Sequence, residues 1–125
     1  VEWQRAFASA VAQGVLRDDI LFDPGIGFAK NAKQSLTVLE RLCDFRALGV
    51  PLVVGPSRKS FLTLVEECSP SERLGATVAA CLFAAEQGAS LVRVHDVRVV
   101  RQALDAQRLF RSLRSPKEAT CSKAS

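Results

Sequence analysis

An α/β fold built on a parallel sheet is what this sequence predicts, and three observations carry the prediction. Short, continuously apolar runs alternate with amphipathic stretches in the order helix, strand, helix, strand, helix, strand, helix. Apolar strands without polar alternation are buried on both faces, as in parallel sheets covered by helices. Each apolar run also ends in a polar or glycine-rich cluster: Asp23-Pro24-Gly25-Ile26-Gly27-Phe28, Gly55-Pro56-Ser57-Arg58-Lys59-Ser60 and Arg93-Val94-His95-Asp96-Val97. Ligand sites of parallel α/β folds form at the carboxyl ends of the strands, so the clusters are expected to share one pocket for an anionic ligand. Finally, 125 residues with 48% apolar and 24% charged side chains suit one globular domain.

Trp3, Phe7, Val11 and Val15 recur at fourfold spacing, which predicts an amphipathic helix ended by Gly14. Residues 19–23 form the first strand, an apolar run between charges. Leu36, Leu39, Leu42 and Cys43 give the next helix its inner face, and Gly49 and Pro51 stop it. The β-branched run 50–55 is the second strand. Ser69-Pro70-Ser71-Glu72 reads as a capping box with Pro at the first helical position. Its helix runs through Leu74, Val78, Leu82 and Ala85 to Gly88. Residues 90–95 form the third strand, with Leu91, Arg93 and His95 on one face and Val92 and Val94 on the other. A last helix uses Val100, Ala103, Leu104 and Phe110. The domain is expected over residues 1–113, with a flexible tail at 114–125.

Net charge is a modest +4, spread along the chain, and aromatics are only 6%, which argues against nucleic acid as a partner. No apolar stretch is long enough to span a membrane, and no signal peptide is visible. Cys43, Cys68, Cys81 and Cys121 show neither CxxC pairing nor zinc-type spacing. Cys43 and Cys81 are expected to be buried, reduced thiols, which fits a cytoplasmic location. The chain holds no Met, and three strands leave two open sheet edges, so it is expected to be part of something larger.

Each cluster has an ordinary reading beside a functional one. Arg93 and His95 suit phosphate oxygens ahead of a helix N-terminus. Equally, Arg93 suits pairing with a carboxylate, and His95, the single histidine, suits a satisfied core position. The Gly55–Lys59 turn lacks the second Gly of a P-loop, but its Gly would admit a ligand close to the backbone and its Ser, Arg and Lys offer donors; the alternative is a solvated basic turn. Asp23 could accept two N–H groups from a heterocycle or cap the turn that follows it. Pro24, Gly25 and Gly27 shape a loop that Phe28 and Lys30 could close over a ligand.

Ile20 to Asn31, Gly55 to Phe61, Pro70-Ser71-Glu72-Arg73-Leu74 and Arg93 to Val97 together resemble the dihydropteroate synthase family, over residues 1 to about 113. The resemblance implies the last three strands and helices of a pterin-binding (β/α)₈ TIM barrel. It also implies a reaction, the joining of p-aminobenzoate to 6-hydroxymethyl-7,8-dihydropterin diphosphate with release of pyrophosphate. In that chemistry pyrophosphate leaves first and the aryl amine attacks the pterin methylene cation, so leaving-group stabilisation matters more than a strong base. By resemblance, Arg93 and His95 bind pyrophosphate, Asp23 and Lys59 hold the pterin, and Ser57 and Arg58 line the p-aminobenzoate side. Phe28 and Lys30 lie on the adjacent loop, and Gly27 and Gly55 complete the substrate-binding set; Lys59, Arg93 and His95 are the catalytic candidates. No metal ligand is assigned within the chain. The family uses Mg²⁺, whose ligand is expected from earlier strands outside it.

The resemblance further implies a sulfonamide target and a homodimer through late helices. Two departures stand out: Ala29 where the family usually has Gly, expected to stiffen the loop, and Ala76 in place of a Gly. Alternatives are a non-catalytic module that keeps a partial pterin or phosphate site, or a pterin-dependent methyltransferase barrel.

Overall fold

The computed structural model describes residues 2–114. The tail expected at 114–125 therefore lies, beyond Arg114, outside the described residues. The predicted alternation holds. Helix α1 (Glu2–Ala12) is followed by α2 (Ala32–Glu40), β1 (Val53–Val54), α3 (Leu74–Glu86), β2 (Leu91–Val92) and α4 (Val97–Arg111). Strands β1 and β2 pair in parallel, Val53 opposite Leu91 and Val54 opposite Val92. Phe22 adds a parallel bridge to Leu52 on the other side. Three parallel segments therefore lie in the order 22, 52–54, 91–92. Their ladder is closed by Val53 N–H to Phe22 O (2.9 Å), Leu91 N–H to Leu52 O (3.1 Å) and Arg93 N–H to Val54 O (2.8 Å).

The strands are shorter than the apolar runs that encode them. Of the run 19–23, only Phe22 bridges, because Arg17–Asp19 closes a 3₁₀ turn just before it. Runs 50–55 and 90–95 contribute two ladder residues each. An apolar run records that a segment is buried, whereas ladder length depends on neighbours far away in sequence. The predicted alternation along the third strand is present: Leu91, Arg93 and His95 are exposed, and Val92 and Val94 are half-buried.

Under the arc, Ile26, Leu39, Leu42, Val54, Phe61, Leu62, Ala80 and Ala84 form the core. Beside it, Trp3 of α1 meets Phe7 (5.7 Å between centroids) and Phe22 (4.7 Å), and Phe22 meets Phe45 (5.2 Å). Several inner-face assignments need correction. Helix α2 turns Ser35 and Leu39 inward and leaves Leu36 exposed, and the chain then tightens into a 3₁₀ stretch over Leu42–Leu48. Threefold periodicity stacks Leu42, Phe45 and Leu48, which carries Cys43 off the core face to a half-buried position. Val15, which lies beyond the end of α1, and Phe110 on α4 are also exposed. Cys81 is fully buried as expected, and burial pushes its thiol up to about 11.

Ser69 and Glu72 form the predicted cap, but around a single 3₁₀ turn, Pro70–Glu72, with α3 starting at Leu74. Glu72 Oε2 accepts from the Ser69 backbone N–H (3.0 Å) and hydroxyl (2.6 Å).

Candidate functional site

The three clusters do meet at the carboxyl ends of the parallel segments. After Phe22 the chain turns, and Asp23, itself exposed, accepts the Gly25 N–H at 2.8 Å. The turn-capping role of this carboxylate is thus present, carried by one of its two oxygens. The loop that follows is held from both sides. Gly27 N–H donates to the hydroxyl of fully buried Ser35 (3.2 Å), and Lys30 Nζ donates to Gly25 O (3.1 Å) and Phe28 O (3.3 Å).

Lys59 reaches across from the second cluster. Its ammonium donates to Ile26 O and lies 4.3 Å from the centroid of the Phe28 ring. Gly27 makes this crossing possible: at φ +77° it holds a left-handed conformation, and a Cβ there would stand 2.6 Å from Lys59 Cδ. Ala29, at φ +48°, adopts the same region without the freedom of glycine.

In the second cluster Gly55, Pro56 and Ser57 are buried, and Arg58 sits at φ +59°. Helix α3 and the residues before it secure this strained turn. Arg58 N–H donates to Thr77 Oγ1 (3.1 Å), and Arg73 Nη1 donates to Arg58 O (2.8 Å) while its Nη2 holds Cys68 O (2.9 Å). The Arg58 guanidinium lies on the Asp96 carboxylate, Nη2 to Oδ2 at 3.2 Å. Arg58 therefore ties the second cluster to the third.

The third cluster supplies Arg93 and His95. Gly55 was expected to admit a ligand; instead the Arg93 side chain lies over it, Nη2 standing 2.9 Å from where a Cβ would be. Among the described residues no carboxylate forms an ion pair with Arg93. His95 is not a core histidine: it is exposed, with Nδ1 2.8 Å from Ser57 Oγ.

The cations crowd one another. Burial lowers the Lys59 pKa from its ordinary value, Arg93 lowers it further, Asp23 opposes the fall and Lys30 adds to it. Arg93, Lys30 and the single carboxylate Asp23 thus all lie close enough to Lys59 for their charges to act on it. An anion arriving there relieves repulsion already present, the usual physical basis of a phosphate subsite. No three His, Cys, Asp or Glu side chains among the described residues converge to hold a metal. Three cations beside a single carboxylate, Asp23, do not suit Mg²⁺ at this spot.

Sequence reasoning named the polar residues at the strand ends and missed those that hold them in place: Ser35, Arg73, Thr77 and Asp96. Asp96 and Arg73 stood inside quoted motifs without a role. Ser35 and Thr77 carried no signal, being single hydroxyls on helices whose partners lie 8 and 19 residues away.

Residues 1–95 match the family model described as pterin binding enzyme. The chain is 50% identical over 90 residues to a dihydropteroate synthase of Synechocystis, covering 71% of this chain and 31% of the relative. It is 38% identical over 121 residues to that of Escherichia coli, covering 94% of this chain and 42% of the relative. Among solved structures, the dihydropteroate synthase of Xanthomonas albilineans in complex with 7,8-dihydropteroate superposes with a TM-score of 0.84 at 34% identity, over 88% of this chain and 42% of that one. The chain thus spans between 31% and 42% of the length of these relatives. The matched region is part of a TIM barrel, which accounts for the parallel arc and its covering helices.

Proposed function

This chain belongs to the pterin-binding enzyme family, and on that premise we propose that it supplies one side of a dihydropteroate synthase active site in folate biosynthesis. The observation that carries the reading is the convergence of Asp23, Lys59 and Arg93 around one cationic spot, with His95 on the adjoining strand end. Its substrates would be 6-hydroxymethyl-7,8-dihydropterin diphosphate and p-aminobenzoate. Arg93, which pairs with no carboxylate among the described residues, would receive diphosphate oxygens together with a ring N–H of His95. Asp23 keeps an oxygen for the pterin N–H groups, and Lys59 exchanges the Ile26 carbonyl for the pterin or its diphosphate. Stabilising the departing pyrophosphate in this way lowers the barrier to C–O cleavage, and the aryl amine then adds to the methylene carbon and loses a proton. Phe28 and Lys30 flank the entrance for p-aminobenzoate, which sulfonamides would imitate. Mg²⁺ would be held by residues outside this chain.

Two finer expectations belong to this reading. Cys68 and Cys81 are thiols, and Cys81 is fully buried, which supports a reducing, cytoplasmic setting. No helix among the described residues is long and apolar enough to cross a membrane. Exposed Phe83 on α3 and Phe110 on α4 favour association through these late helices.

Calorimetry with the pterin diphosphate tests the site. Saturable heat is expected, and Arg93→Ala should weaken binding by about tenfold or more, the loss of one charge-assisted contact. No saturable heat would leave an interaction module without a site as the reading.

A further inference from the structure

We propose that Ser57 is a positioning residue that holds the neutral His95 ring as the tautomer protonated on Nε2. The hydroxyl of Ser57 is buried, and its oxygen faces His95 twice: it accepts the His95 backbone N–H at 3.2 Å and lies 2.8 Å from Nδ1. A hydroxyl has one proton and two lone pairs. If Nδ1 carried the ring proton, Ser57 Oγ would take two donors and its own proton would be left in a buried position with no acceptor among the described residues. Leaving a buried hydroxyl proton without an acceptor is unfavourable. If Ser57 donates to Nδ1, every group is satisfied: the backbone N–H fills one lone pair, the hydroxyl proton goes to Nδ1, and the ring proton resides on Nε2. That nitrogen lies across the ring from Ser57, on an exposed side chain.

The turn carrying Ser57 is built to hold this geometry. Arg58, the next residue, is fixed at φ +59° by Thr77 and Arg73, and its guanidinium holds Asp96, the residue after His95. Two adjacent residues of one loop thus grip two adjacent residues of the other. The consequence is a ring that offers an Nε2–H donor while it is neutral, together with a serine whose hydroxyl is engaged by that ring. Resemblance places Ser57 on the p-aminobenzoate wall; its burial and its two contacts with His95 give it this other task. The tautomer stands on geometry alone, and only its use, donation to a leaving diphosphate, rests on the function proposed above.

The single histidine makes the test direct. Long-range ¹H–¹⁵N correlation spectra of the labelled full chain at about pH 8.5, above the ordinary histidine range, report which ring nitrogen is protonated. The expected result is a protonated Nε2 and an unprotonated, hydrogen-bonded Nδ1 in the wild type, a mixture of tautomers in Ser57→Ala, and the wild-type pattern in Ser57→Thr. A protonated Nδ1 in the wild type, or an unchanged tautomer ratio in a folded Ser57→Ala, overturns the proposal. If Ser57→Ala does not fold, the wild-type and Ser57→Thr spectra still decide it. Titration with inorganic pyrophosphate is a separate arm. A wild-type Nε2 signal that ignores saturating pyrophosphate sinks the diphosphate reading of His95, while the tautomer is judged by the ring spectra alone.

Discussion

Gly27 and Gly55 both make room for a cation, yet substituting them should have different consequences. Gly27 needs its left-handed backbone as well as its missing Cβ, so Gly27→Ala combines a conformational cost with displacement of Lys59 from Ile26 O. A loss of about 1–2 kcal/mol in chemical denaturation is expected, together with weaker pterin binding. Gly55 has no positive φ, and the atoms its Cβ would meet belong to the end of the Arg93 side chain. Gly55→Ala should therefore leave the unfolding midpoint nearly unchanged and reduce pyrophosphate affinity by about tenfold in calorimetry, the equivalent of one lost charged contact. Equal damage to stability and binding in both variants would contradict this division. Cys81 offers a pH test. Its folded thiol is raised from 9.0 to about 11, so its contribution to stability is complete below pH 9.0 and is lost as pH rises through about 11. The unfolding free energy should fall across that window, by at most about 3 kcal/mol from this group, and Cys81→Ala should remove that part of the fall.

At the scale of elements, the entry into α3 depends on Glu72. The hydroxyl and the backbone N–H of Ser69 both donate to its carboxylate and hold it below the ordinary value of 4.5. The stabilisation is present above pH 4.5 and disappears as pH falls through the lower folded value. Hydrogen exchange at Glu72, Arg73 and the first turn of α3 should accelerate in that acid range, and in Glu72→Gln it should be faster already at neutral pH. The loop 23–30 carries a different kind of strain. Ala29 sits at φ +48°, where an alanine costs about 1 kcal/mol relative to glycine. Ala29→Gly is expected to raise the unfolding midpoint slightly and to loosen the loop, seen as faster amide exchange at Phe28 and Lys30; a lower midpoint would show that stiffness there outweighs strain. These elements were legible to different degrees. Helix starts and stops, such as the Ser69 cap and Gly49, are local chemistry and could be read directly. Strand lengths and the inward faces of α2 and α4 could not, because Leu36 and Phe110 are apolar residues that satisfy a helical pattern yet remain exposed.

For the molecule as a whole, the chain presents an arc of three parallel segments whose outer members, Phe22 and β2, pair on one side only among the described residues. Open edges and a half-formed pocket predict that the purified 125-residue chain forms no dihydropteroate by itself, and that activity emerges when the N-terminal part of a related synthase is supplied in trans. Turnover by the chain alone would refute that expectation. What the sequence determined by itself is substantial. The βα order, the placement of all three polar clusters at strand ends and the outward set Leu91, Arg93 and His95 follow from residue type and short-range spacing, and the motifs' resemblance pointed to the family. Tertiary structure alone decided how the clusters are wired: Arg93 over Gly55, Lys59 across Gly27, Arg58 on Asp96, and Ser57 on His95. The reason is physical. Periodicity and capping act over a few residues and are written into local sequence, whereas the Ser57–His95 and Arg58–Asp96 contacts each join residues 38 positions apart. Such a pair exists only once parallel strands have set two loops side by side, and which hydroxyl serves which ring is then fixed by burial and hydrogen-bond satisfaction.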